Sequence, residues 1–137
     1  MTHLRILEEE NKSMEKVTVL DSYVMEGYTI YKVKPLGFID YGANKDMYCF
    51  DYATLAAQWG ISMEVLDKVA SFDISFKYSM YVTYTEAEEG LVRTNMIDAN
   101  AVPSLLIKLK DSTYRPNTDI NREHAVIAML LDNARGV

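Results

Sequence analysis

From Phe72 to Tyr84 the chain alternates in steps of two. Phe72, Ile74, Phe76, Tyr78, Met80, Val82 and Tyr84 fall on one side, and Asp73, Ser75, Lys77, Ser79 and Thr83 fall on the other. Successive side chains of an extended strand point to opposite faces, so this period predicts a half-buried β-strand. At about 3.3 Å per residue, residues 72–84 would span roughly 43 Å, more than strands usually cover, which predicts a bulge or bend near Ser79. A strand with one wet face belongs to an antiparallel sheet, because parallel sheets are covered on both sides. Tyr81 is the large ring on that wet face and is therefore a candidate exposed contact.

The rest of the chain supplies partners for this strand. Residues 17–24 and 28–34 are rich in β-branched and aromatic side chains and flank Met25-Glu26-Gly27, a connection that suits a hairpin. Residues 38–41 and 47–50 flank Gly42 to Asp46 and predict a second, shorter hairpin. Ala101 to Lys110 reads as a helix, with Pro103 in its first turn, Leu105, Leu106 and Leu109 on one side, and Lys108 and Lys110 near its end. Ile120 to Ala134 reads as an amphipathic helix with the stripe Ile120, Ile127, Leu130, Leu131 and Ala134, a start capped by Thr118 or Asp119, and Gly136 beyond its end. The expected fold is α+β: an antiparallel sheet with a helical corner and two C-terminal helices. With 137 residues and no linker-like stretch, residues 17–137 are expected to form one domain behind a charged leader, residues 1–16.

The corner is expected at Tyr52 to Val69. Ala56 precedes Gly60 by four residues and Leu66 follows it by six, a spacing that suits a helix-turn-helix. Ala56 lets two helices approach, Gly60 takes the turn, and Leu55, Trp59, Ile61, Leu66 and Val69 form the small core between them. A helical corner that only covers the sheet satisfies the same spacing.

The stretch FDYATLAAQWGISMEVLDKVASF, with the following YSMYVTYTEAEEGLVRTN, resembles the helical core and next segment of phage-encoded regulatory domains of the antirepressor type, including the Bro-N group. The surrounding layout is similar: LRIL and VTVLDSY at the start, then NMIDANAVPSLLIKLKD and the closing HAVIAMLLDNARG. The resemblance is one of arrangement over most of the chain. It implies a small, non-enzymatic regulator of a mobile element that binds operator DNA or a repressor protein.

Charge bears on which of these it binds. The chain carries 20 acidic and 14 basic side chains, a formal net charge of −6, so a duplex offers it little counterion release. A DNA-reading second helix presents Arg, Lys, Asn or Gln to base edges, whereas this one presents Ser62, Met63, Glu64, Asp67 and Lys68. The expected partner is therefore a protein, contacted by Met63 as an apolar anchor, by Glu64, Asp67 and Lys68 around it, and by Tyr81. The alternatives are a helix-turn-helix DNA-binding regulator using Lys45, Ser62, Lys68, Lys77, Lys108, Lys110 and Arg115, and a viral assembly or inhibitor accessory protein. Self-association is compatible with either.

Catalytic signatures are missing from the sequence. It contains no glycine-rich phosphate loop and no nucleophile elbow. Cys49 is the sole cysteine and is expected to be core, and His3 and His124 are too few for a structural zinc site. The acidic runs 8–10 and 86–89 are expected to be a solvated leader and a helix start. The expectation is a protein that is not an enzyme, with no cofactor or metal. Its charged N-terminus and lack of a long apolar stretch place it in the cytoplasm of a bacterium or infected cell.

Overall fold

The computed structural model describes residues 15–35, 47–114 and 118–134. Among the described residues, five strands and four α-helices follow one another: β1 (Glu15–Met25), β2 (Tyr28–Pro35), β3 (Met47–Asp51), α1 (Tyr52–Trp59), α2 (Met63–Ser71), a 3-10 segment (Ile74–Ser79), β4 (Met80–Ala87), β5 (Gly90–Asp98), a 3-10 turn (Ala99–Ala101), α3 (Val102–Asp111) and α4 (Ile120–Ala134). The α+β class and the two C-terminal helices stand. The first half of the second expected hairpin, residues 38–41, lies outside the described residues, and its second half is β3.

The sheet is a closed barrel in the order β1-β2-β3-β5-β4, not an open antiparallel sheet. The first hairpin turns through Glu26 and Gly27, both at positive φ (53° and 83°), the two-residue loop that follows the strands' own twist. Leu20 is an extra residue on β1 where the register slips between Val19 and Asp21, and a bulge of this kind bends the strand. Closure comes from the start of β1, which runs parallel to β4 with Glu15 opposite Tyr81 and Lys16 opposite Val82. Lys16 also places its ammonium over the Tyr84 ring, 5.6 Å from its centre.

Two apolar clusters form on the strands. One cluster contains Val17, Val33, Cys49 and Met96, with Val19, Tyr31, Met47 and Tyr81 packed against it. These alternate along their strands with Ile30, Phe50 and Ile97, which belong to a larger core built with Trp59, Leu66, Leu105, Leu106, Leu109, Ile127 and Leu130 of the four helices. Tyr81 is thus half-buried on the inner face, and the exposed position expected for it is incorrect. The expectation assumed an open sheet with one face in water.

The long strand from Phe72 is also corrected. The Asp73 carboxylate accepts a hydrogen bond from the Ser75 N–H at 2.9 Å and caps a 3-10 segment, so extended backbone begins only at Met80. Phe76 is the buried member of that segment. The acidic run 86–89 starts no helix either: Glu86 and Ala87 end β4, and Glu88-Glu89 make the turn into β5, with Gly90 at φ 113°.

The last two helices begin where the sequence predicted. Pro103 sits in the first turn of α3, and Val102, Leu105, Leu106 and Leu109 are buried. Asp119 accepts hydrogen bonds from the Asn121 and Arg122 N–H groups at 3.0 and 3.3 Å and so caps α4. No helix among the described residues is long and apolar enough to cross a membrane.

Candidate functional site

The helical corner is built by local chemistry at both of its ends. Asp51 caps α1 by accepting from the Thr54 N–H at 3.1 Å, and its other carboxylate oxygen accepts from the Tyr31 hydroxyl at 2.8 Å. α1 ends at Gly60, φ 66°, with the Gly60 N–H donating to the Ala57 carbonyl and the Ile61 N–H to the Ala56 carbonyl. This paired closure requires the left-handed conformation that glycine adopts freely. The Ser62 hydroxyl accepts from the Val65 N–H at 3.1 Å and starts α2. Leu55, Ala56, Trp59, Leu66 and Val69 are buried in the angle between the helices and Ile61 packs against them, the arrangement their spacing predicts.

On the outside of α2, Met63 is 39% exposed. Glu64 and Lys68 are paired to each other at 3.4 Å across one helical turn, both largely exposed. Asp67 is exposed, and the Tyr52 hydroxyl pKa is pushed far up by burial and then by the charge of Asp67. Ser62 is engaged in the cap of α2. Of the partner-binding set, Met63, Glu64, Asp67 and Lys68 are exposed on α2, whereas Tyr81 is half-buried in the barrel.

Further exposed apolar side chains follow α2, where the sequence reading placed core. Phe72 is 67% exposed, Ile74 70% and Tyr78 75%, and Ile107 on α3 is 47% exposed. α2 packs on α3 and on the 3-10 segment. Hydrogen bonding from Ser75 holds the Asp73 carboxyl below the usual range, and the Lys108 charge adds to this. Lys77, Lys108 and Lys110 are exposed. Lys45 and Arg115 lie outside the described residues. The signal that could have revealed the exposed segment is Asp73 two residues before Ser75, a capping pattern that starts a turn instead of continuing a strand.

The buried polar groups belong to the frame. The Tyr28 hydroxyl donates to Glu123 Oε1 at 2.7 Å and accepts from Trp59 Nε1 at 2.9 Å, which joins β2, α1 and α4. Burial, followed by the bond to Glu123, pushes the Tyr28 pKa far up. Cys49 is fully buried on the inner face of the barrel, and burial, with the Asp98 charge, raises its thiol pKa well above the ordinary value. Burial also raises Tyr81 to about 12, with Asp98, Cys49 and Glu15 contributing in that order. Among the described residues no group of three His, Cys, Asp or Glu side chains converges as a metal site would need.

The chain matches no protein-family model, no curated protein and no solved structure.

Proposed function

We propose that this chain is a small, non-enzymatic regulatory protein of the phage antirepressor type, acting by binding a protein partner such as a repressor. The observation that carries this reading is the exposure of Phe72, Ile74 and Tyr78 in one short segment. Large apolar side chains grouped on a surface favour a macromolecular contact, because their burial against a partner removes apolar area from water. Met63 and the Glu64–Lys68 pair extend the candidate surface along α2. The geometry is less favourable to a DNA-reading helix: Ser62 is used as a cap, and Glu64 and Asp67 place negative charge on α2.

Affinity capture in the native host, run beside a duplex-DNA mobility-shift assay at two salt concentrations, tests the reading. The wild type is expected to retain a repressor-type protein that Ile74→Asp and Met63→Asp lose, with thermal melts unchanged for both variants. Tight, sequence-specific duplex binding that is abolished by Lys68→Glu would overturn it.

A further inference from the structure

We propose that the barrel opens at its β1–β4 seam, the β1–β2 and β4–β5 hairpins parting there while the larger core under the four helices stays folded. Among the described residues the seam is two residue pairs long, Glu15 with Tyr81 and Lys16 with Val82, and it is the one parallel contact of the barrel. Parallel pairing is slightly weaker per residue than antiparallel pairing. On their other sides the same strands are paired at length, β1 with β2 from Val17 to Met25 and β4 with β5 from Met80 to Ala87. Parting at the seam therefore leaves two antiparallel hairpins intact.

Two further observations fall on this seam. The Glu15 carboxylate has an oxygen, Oε1, that is buried without a hydrogen-bond partner. An acceptor left unpaired in this way costs free energy that water returns when it is exposed. In addition, β1 adds no described side chain to the larger core. Val17 is its only buried residue, and Val17 and Val19 pack in the small inner cluster with Val33, Cys49 and Met96. The β3–β5 contact is also short, at three pairs, but it carries Phe50 and Ile97, both fixed in the larger core. At the seam the side-chain tie is the Lys16 ammonium over the Tyr84 ring, a contact that contributes little where the cation is exposed. Local openings start at such weakly held places and lie below global unfolding in free energy.

Opening moves Val17 and Val19 off the inner cluster and uncovers Cys49, the sole cysteine, which is fully buried in the closed barrel. The test is the reaction of Cys49 in the native full chain with dithionitrobenzoate near neutral pH, beside urea melts of the same proteins. Labelling is expected to run at least about tenfold faster than the globally unfolded fraction allows. Glu15→Met removes the orphaned oxygen at similar length and is expected to slow labelling several-fold, whereas Val17→Ala is expected to speed it several-fold. Ile127→Val, a mild loss in the larger core, is expected to lower the urea midpoint and leave the labelling rate unchanged. Labelling that matches global unfolding and quickens with Ile127→Val in step with the lost stability would overturn the proposal. Fast labelling indifferent to both Glu15→Met and Val17→Ala would overturn it as well, because the opening would then lie elsewhere in the barrel.

Discussion

At the scale of single residues, the most consequential side chain outside the candidate surface is Glu123. It is buried in the first turn of α4, where the helix dipole favours a negative charge, and it accepts the Tyr28 hydroxyl, which in turn accepts the Trp59 indole N–H. A buried acceptor removed without replacement leaves its donor unsatisfied. Glu123→Ala is therefore expected to destabilise the fold by about 2–4 kcal/mol, and Glu123→Gln, which keeps an acceptor oxygen, by roughly 1 kcal/mol. Urea melts of the two variants check this. Equal losses would mean that volume rather than hydrogen bonding holds the site together.

At the scale of elements, the segment between α2 and β4 separates two side chains that a strand would make equivalent. Ile74 and Phe76 share a face under strict alternation, yet Asp73 caps a 3-10 turn in which Phe76 is buried and Ile74 is exposed. Phe76→Ala is expected to cost about 3–5 kcal/mol and Ile74→Ala to stay within roughly 0.5 kcal/mol. Comparable costs, measured by denaturant melts, would restore the strand and remove the exposed apolar surface. The helical corner shows the opposite case. Gly60, Ser62 and the buried Leu55, Trp59, Leu66 and Val69 act where their spacing puts them, because a Schellman closure, a serine cap and a 3.6-residue stripe are local properties.

At the scale of the whole molecule, closure of the barrel and the layer of helices bury several weak acids in their protonated forms. Cys49, Tyr28 and Tyr52 all have pKa values pushed up from ordinary values of 9.0 and 10.0, first of all by burial, and half-buried Tyr81 rises to about 12. A group whose folded-state pKa is raised contributes stability that is fully present below its unfolded value and is lost as pH climbs toward the folded one. Above pH 9.0 the unfolded chain releases the Cys49 proton, and above 10.0 the tyrosine protons, while the folded chain retains them. Stability is thus expected to be flat near neutrality on account of these groups and to fall from about pH 9 upward. Each fully buried group contributes a slope of up to about 1.4 kcal/mol per pH unit. Chemical denaturation between pH 7 and 11 measures this, and Tyr28→Phe should lessen the alkaline loss. A profile unchanged through pH 11 would show that the buried hydroxyls and thiol ionise as freely in the folded chain as in the unfolded one.

What the sequence determined by itself is what short-range chemistry decides. The first hairpin follows from Glu26-Gly27, the corner from Gly60 and Ser62, and the two C-terminal helices from Pro103 and Asp119 with the leucine and isoleucine stripes behind them. Each needs only a backbone preference, a cap or a period within a few residues. Tertiary structure alone decided the closed barrel, the inward position of Tyr81, the burial of Glu123 and the exposure of Phe72, Ile74 and Tyr78. The barrel closes through Glu15 and Lys16 against β4, more than sixty residues away in the chain, and Tyr28 meets Glu123 across 95 positions. A period of two reports that side chains alternate. Which side meets a core depends on what else folds against it, and here the 3-10 turn buries Phe76 while Phe72, Ile74 and Tyr78 stay exposed.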